Sequence, residues 1–197
     1  MIKHRLILVF ILASLCCSSA LSGQKLRYEV TLFGKKIGET TIEARDSAGG
    51  KYYKLRSSTQ VKMLFMDKRS SMSTDVLFSK DGIMSTSIFK NIKEDGIILT
   101  QAIWDNGKLI VEKNGEKSCV PGPVKYSSLL MYFAEPANIQ KVFSERMGKF
   151  FDLVKEAEGK YSAEMDNSSA IYTYSRGRLS ELEIKSSLGS IFVRLVN

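Results

Sequence analysis

Few residues in this chain can perform acid–base, nucleophilic or metal chemistry. The 197-residue sequence has one histidine, His4, and one cysteine after residue 17, Cys119. Without histidine, the main part of the chain lacks the usual general base, the Ser-His-Asp and Cys-His catalytic groups and the imidazole ligand of zinc. One cysteine cannot build a thiolate metal site. We therefore expect no metal site and no cofactor, and we interpret Cys119 as a small buried residue at the end of a strand.

Paired carboxylates of the glycosidase type and a Ser-Lys arrangement are the catalytic chemistries that remain. The candidate carboxylate pairs are Glu39/Glu43 and Glu181/Glu183, each within a segment in which polar and apolar side chains alternate. That spacing places each pair on one face of a strand among polar neighbours. A solvated face is the simpler interpretation, so the sequence predicts a protein that is not an enzyme.

Residues 1–22 have the three parts of a secretory signal peptide: a basic start, the apolar run Leu6–Leu15, and small residues before a cleavage site. The apolar run has half of the roughly 20 residues needed to span a membrane. We expect its removal, which would leave no transmembrane segment and a protein in the periplasm or at the outer membrane of a Gram-negative bacterium. Cys16 and Cys17 leave lipidation open, although no small residue precedes Cys16.

Residues 23–197 have the length of one domain. The formal charge of the whole chain is +8, which falls to +6 without Lys3 and Arg5. The basic residues are dispersed, and Lys93 is followed directly by Glu94. This pattern is typical of a solvated sheet face with lysines at its edges, so nucleic acid is not an expected partner.

Alternating apolar residues and glycine turns predict a protein made mainly of strands. Four hairpin dipeptides separate short alternating segments: Asp81-Gly82, Asp95-Gly96, Asn106-Gly107 and Asn114-Gly115. They predict a curved antiparallel meander, an open or partly closed barrel, of about ten or more strands. The segment from Ile97 to Trp104 is apolar at both alternating sets of positions, which predicts a central strand covered on both faces.

The segment from Val120 to Met147 interrupts the strands and contains all three prolines. Tyr126, Leu129, Leu130 and Phe133 follow the i, i+3, i+4, i+7 spacing, which predicts one short helix near residues 126–134 lying across the sheet. These four side chains are the predicted lining of a ligand site or, if the interior is filled, the predicted core contacts. Residues 139–157 fit both a helix and strands, with strands favoured around Phe150.

Several short motifs resemble a family of uncharacterised exported bacterial proteins. They are the strand Leu26–Val30, the hairpin Gly34–Glu39, and the segments Asn91–Gly96, Val142–Glu145 and Tyr172–Gly177. The resemblance implies an all-β fold and no established activity. A curled antiparallel sheet crossed by a helix is also distantly similar to the periplasmic lipoprotein carriers of the LolA and LolB type.

Two functions are consistent with these features. The first is a non-enzymatic envelope protein whose curved sheet binds an apolar ligand such as an acyl chain. The alternative is an envelope protein–protein interaction module with a fully packed core, so the expected partner is a lipid or another envelope protein. An interior cavity below ~300 Å³ would favour the second function.

Overall fold

Strands dominate the computed structural model, which describes residues 23–63, 66–165, 168–186 and 189–196. The predicted signal peptide, with Cys16 and Cys17, lies outside these residues. The strands are β1 (Gln24–Leu32), β2 (Lys35–Ser47), β3 (Gly50–Met63), β4 (Met66–Ser79), β5 (Met84–Lys93), β6 (Gly96–Asp105), β7 (Lys108–Lys113), β8 (Glu116–Pro121), β9 (Lys141–Ser144), β10 (Lys149–Asp152), β11 (Val154–Ala157), β12 (Lys160–Met165), β13 (Ser168–Ser175), β14 (Arg178–Ser186) and β15 (Gly189–Leu195).

Thirteen of these strands form one antiparallel sheet in which two meanders are joined side by side. The strand order is β11-β12-β13-β14-β15-β1-β2-β3-β4-β5-β6-β7-β8, and β9 and β10 form a separate hairpin. The two meanders meet where β1 pairs with β15, with Tyr28 opposite Leu195. Strands β8 and β11 end the sheet without pairing to each other in the described chain, so the sheet is open. The predicted curved antiparallel meander is confirmed.

The two Asn-Gly turns show why their sequence signal was strong. Asn106 and Gly107 have φ values of 46° and 83°, and Asn114 and Gly115 have 50° and 90°. Asparagine and glycine adopt this left-handed conformation more readily than other residues. These turns fix the registers of β6 with β7 and of β7 with β8.

A plug segment, which we define as residues 122–140, connects β8 to the β9–β10 hairpin and packs on the inner face of the sheet. Its helical part is only a three-residue 3-10 helix, Leu130–Tyr132. The predicted helix is therefore in the expected place but shorter, because the residues before it pair with β9. Ser127 forms a β-bridge with Phe143, and the Ser128 N–H donates to the Phe143 carbonyl.

The core lies between the plug segment and the inner face of the sheet. Leu129 is 2% exposed and Met131 is 0% exposed, whereas Leu130 is only half-buried. The sheet contributes alternate residues, such as Tyr28 and Ile42, that are fully buried. Burial in this region follows the strand and 3-10 geometry instead of the predicted α-helical stripe.

Two sequence-based expectations about burial are wrong. Ile97 and Ile103 on β6 are 57% and 55% exposed, because the plug segment covers only the inner face of the sheet. Cys119 is exposed instead of buried, because it lies on β8, the last strand of the open sheet. Residues 141–157 form strands β9, β10 and β11, which confirms the strand interpretation around Phe150.

Candidate functional site

Tyrosine hydroxyls hold the plug segment against the inner face of the sheet. The Tyr174 hydroxyl donates to the Met131 carbonyl at 3.0 Å, and the Tyr161 hydroxyl donates to Glu135 Oε1 at 2.8 Å. The Tyr126 hydroxyl, within the plug segment itself, donates to the Ala134 carbonyl at 3.2 Å. The Met131 and Ala134 carbonyls lie in or near the 3-10 helix and have few partners within a helix so short. The plug segment is therefore fixed by polar as well as apolar contacts.

Aromatic pairs add to this attachment. The Tyr28 and Tyr132 rings meet edge to face with centroids 5.3 Å apart. Phe133 packs against Tyr53 on β3 at 5.4 Å. Such pairs stabilise a fold by about 0.5–1.5 kcal/mol beyond their buried area.

A small cavity remains between the plug segment and the sheet, with a volume of about 150 Å³. Its lining is mainly apolar: Leu55, Met72, Phe89, Leu129, Phe151, Met165, Ala170, Leu182 and Ile184. Its polar lining residues are Thr74, Ser128, Tyr132, Ser144, Glu145, Arg146 and Tyr172.

Of the four side chains predicted to line a ligand site, the structure brings one to this cavity. Leu129 lines it, whereas Tyr126, Leu130 and Phe133 are half-buried and pack against the core elsewhere. The i, i+3, i+4, i+7 spacing would place all four on one face only in a continuous α-helix. The short 3-10 helix directs them differently.

Glu145 is the feature of this site that the sequence analysis missed. Its side chain is buried, at 2% exposure, directly after β9. The Ser128 hydroxyl donates to Oε2, and the Leu129 N–H donates to Oε1 at 3.3 Å. Glu145 thus ties the start of the 3-10 helix to the β9–β10 hairpin. Its sequence signals were its position after the apolar pair Val142 and Phe143 and its place at the end of the family-like segment Val142–Glu145.

Burial raises the pKa of Glu145 above its ordinary value of 4.5, because a carboxylate loses hydration inside the protein. The hydroxyls of Ser127 and Ser128 and the Leu129 N–H act in the opposite direction, since they favour the ionised form. The Ser127 hydroxyl interacts electrostatically with this carboxylate but lacks a hydrogen bond of good geometry.

Two tyrosine hydroxyls accompany Glu145 in the cavity lining. Burial raises the pKa of Tyr132 to about 12, and the charge of Glu145 adds to this effect. Burial also raises the pKa of Tyr172, with contributions from Tyr132 and Glu145. Neither hydroxyl has a hydrogen-bond partner within the described residues. The lining of the cavity thus combines a carboxyl group with two unpaired hydroxyls.

The carboxylate pairs considered from the sequence lie on the outer face of the sheet. Glu43 pairs with Lys25 at 2.9 Å, and Glu39 pairs with Arg27 at 3.2 Å. Glu181 pairs with Arg194 at 2.5 Å. These partly exposed ion pairs confirm the interpretation of a solvated strand face and contribute little to stability.

No cluster of three or more metal-binding side chains occurs within the described ranges. In the same ranges, no helix is both long enough and apolar enough to cross a membrane.

The fold is an open antiparallel sheet whose inner face is occupied by a segment of the chain itself. A solved structure with a similar fold is the β-barrel-like protein of a domain of unknown function, DUF1849, from Brucella abortus. It is 14% identical in sequence, the similarity covers 90% of this chain and 97% of that chain, and the TM-score is 0.57. At this identity the similarity concerns the fold.

A family model described as a domain of unknown function, DUF6134, matches residues 28–196. The chain therefore belongs to this family, and the predicted membership of an uncharacterised all-β family is confirmed. No curated protein matches the sequence.

Proposed function

We propose that this protein is a non-enzymatic, exported envelope protein of the Gram-negative periplasm, and that it acts as a protein–protein interaction module. In this proposal the inner face of the sheet packs in the core and stabilises the fold, and the outer face binds the partner. The observation that carries the proposal is the occupied interior. A cavity of about 150 Å³ is smaller than the ~300 Å³ at which ligand sites for drug-sized molecules begin. An acyl chain would have to displace the plug segment.

An exposed aliphatic surface supports the proposal. We define the isoleucine patch as Ile88, Ile92, Ile97 and Ile103 on the outer face of β5 and β6; the first two are 45% and 44% exposed. Ile92 lies directly opposite Ile97, and Ile103 lies opposite Thr86, two residues from Ile88. All four side chains therefore point to the same side of the sheet. Adjacent exposed aliphatic residues are typical of an interaction surface.

The charges around the isoleucine patch favour a protein over an anionic membrane as the partner. Asp75, opposite Ile88, is bound to Arg56 at 2.8 Å, and Glu112 on β7 lies within 4.0 Å of Lys117. Lys90 is exposed on the same face between Ile88 and Ile92. A surface that binds anionic lipids would be expected to carry a clear excess of basic residues. An apolar centre with a rim of both charges is typical of protein interfaces.

The open edge of β8 extends the same surface. Its outer backbone groups are not paired with another strand of the described chain, so a partner strand could add to the sheet there. One strand, β7, lies between this edge strand and the isoleucine patch on β5 and β6. We therefore propose a partner that contributes an apolar surface, a strand, or both.

The test compares two outer-face variants purified with their bound partners from the periplasm. Ile97→Lys/Ile103→Lys places two charges on the isoleucine patch, and Thr41→Lys on β2 is the matched control. We expect the native protein and Thr41→Lys to retain one protein in a fixed ratio, and the double variant to lose it while keeping its melting temperature.

Retention of the same proteins by the double variant would overturn the proposed surface. Flotation of the native protein with anionic lipid vesicles, abolished by the same two substitutions, would instead assign the isoleucine patch to a membrane and refute a protein partner.

A further inference from the structure

The cavity beside Glu145 has a chemistry that the proposed surface function does not use. A carboxyl group in a mainly apolar interior costs free energy unless it is hydrogen-bonded or paired. Glu145 has two hydrogen bonds, from the Ser128 hydroxyl and the Leu129 N–H. An ionised carboxylate can accept about four. The Ser127 hydroxyl and the Glu145 N–H also favour its ionised form, and the carboxyl group lines a space large enough for a small molecule.

The unpaired hydroxyls of Tyr132 and Tyr172 line the same cavity. Each hydroxyl oxygen can accept a hydrogen bond as well as donate one. Together with Glu145 they give the cavity lining three side chains with acceptor oxygens. A primary ammonium group has three N–H donors and one positive charge, so it matches this set in both number and charge.

The rest of the cavity sets the size of the ligand. Its other walls are mainly aliphatic and aromatic, including Leu129, Phe89 and Ile184. An engineered apolar cavity of about 150 Å³ accepts benzene, a molecule of about six heavy atoms. A chain of about four carbons attached to the ammonium group would therefore fill the space.

From these observations we propose that the cavity is a binding site for a small aliphatic primary amine, whose ammonium group binds Glu145, Tyr132 and Tyr172 and whose carbon chain occupies the apolar end. The site is distinct from the isoleucine patch, and its occupation does not depend on the proposed surface function.

Arg146 is the other charged residue that lines the cavity. Its side chain is exposed, and it forms no ion pair with Glu145 within 4.0 Å in the described chain. The cavity therefore has one carboxyl group, two neutral phenols at neutral pH and one solvated guanidinium. Glu145 is the group left to balance the charge of an ammonium ligand.

Binding should release protons. Burial raises the pKa of Glu145 in the free protein, and a bound ammonium ion would lower it again. The affinity for an amine should therefore increase as the pH rises towards the point where Glu145 is fully ionised. Tyr132 and Tyr172 do not titrate in this range, because burial raises the pKa of both hydroxyls.

The test is calorimetric titration of the purified protein with butylammonium, with butanol and methylammonium as comparison ligands. Butanol keeps the chain without the charge, and methylammonium keeps the charge without the chain. We expect saturable binding of butylammonium that is roughly tenfold tighter than that of either comparison ligand, with proton release on binding. No saturable binding, or equal affinity for butanol, would overturn the proposal.

Three variants locate the binding. Glu145→Gln and Tyr172→Phe should each weaken butylammonium binding by roughly tenfold to a hundredfold, because the first removes the negative charge opposite the ammonium group and the second removes one acceptor. Tyr161→Phe removes a hydroxyl that binds Glu135 and not the cavity, so it should leave the affinity unchanged. If Glu145→Gln does not fold, Tyr172→Phe still tests whether the cavity is the binding site. Unchanged affinity in Tyr172→Phe, or the same loss in Tyr161→Phe, would refute the assigned site.

Discussion

Replacing Leu129 with alanine tests whether the plug segment is part of the core. Leu129 is buried and lies between the 3-10 helix and the sheet, beside the existing cavity. Leu→Ala substitutions in protein cores cost about 2.7–5 kcal/mol, with the larger values at sites that cannot collapse. Because the substitution would enlarge a cavity that already exists, we expect a loss of about 3–4 kcal/mol.

Leu130→Ala is the matched control, because Leu130 is the neighbour of Leu129 and its side chain is only half-buried. The α-helical spacing had placed Leu130 on the buried face, whereas the structure assigns full burial to Leu129 and Met131. We expect Leu130→Ala to cost about 1–2 kcal/mol, since less apolar surface is lost. For a chain of this length, each kcal/mol lowers the melting temperature by roughly 2–4 °C.

Guanidinium denaturation followed by circular dichroism and by the fluorescence of Trp104, the only tryptophan, gives both free energies of unfolding. A difference between Leu129→Ala and Leu130→Ala of less than about 0.5 kcal/mol would refute the reasoning. The plug segment would then be a loosely packed cover, as expected for a mobile lid.

Three further substitutions and one control substitution test the polar contacts and one close approach, each by the same denaturation assay. Tyr174→Phe should cost about 1–2 kcal/mol, because it leaves the buried Met131 carbonyl without its hydroxyl donor. Glu145→Gln should change the dependence of stability on pH: the native protein should lose stability relative to the variant as the pH rises from about 4 through the raised pKa of Glu145, because the folded form binds this proton more tightly than the unfolded chain. Gly148→Ala should cost about 2 kcal/mol or more, since its Cβ would lie 2.5 Å from a valine methyl group at a φ of +70°. Gly115→Ala, at a φ of +90° in open space, should cost only about 1 kcal/mol.

Each of these three has a specific outcome that would contradict it. If Tyr174→Phe leaves the free energy of unfolding unchanged, water replaces the hydroxyl as the donor to the Met131 carbonyl. Parallel pH profiles for the native protein and Glu145→Gln would show that Glu145 has the same pKa in the folded and unfolded chain. Equal losses at Gly148 and Gly115 would show that the conformation alone, and not the contact, sets the cost.

The strands were predictable because their signals are local. Asn106-Gly107 and Asn114-Gly115 adopt positive φ at both residues, and the alternation on β1 places Leu26, Tyr28 and Val30 in the core. The pairing of β1 with β15 was not predictable, because it joins residues far apart in sequence without a turn between them. Nothing in the local pattern of either strand specifies the other.

The candidate site was harder to predict for a similar reason. The spacing of Leu129 and Leu130 predicts an α-helix, but pairing of Ser127 with β9 and the hydroxyl of Tyr174 from β13 favour a shorter 3-10 helix. Glu145 follows β9 as one acidic residue among 21 Asp and Glu residues. Only the tertiary structure brings it to the cavity beside Tyr172.

Native mass spectrometry of the protein, purified without detergent, tests most directly the claim that the interior is filled by the chain itself. We predict a mass equal to that of the polypeptide alone, with room for no more than a small molecule in a cavity of about 150 Å³. A lipid or fatty acid retained in a fixed ratio through repeated purification would contradict the claim, because such a chain could be held only by displacing the plug segment.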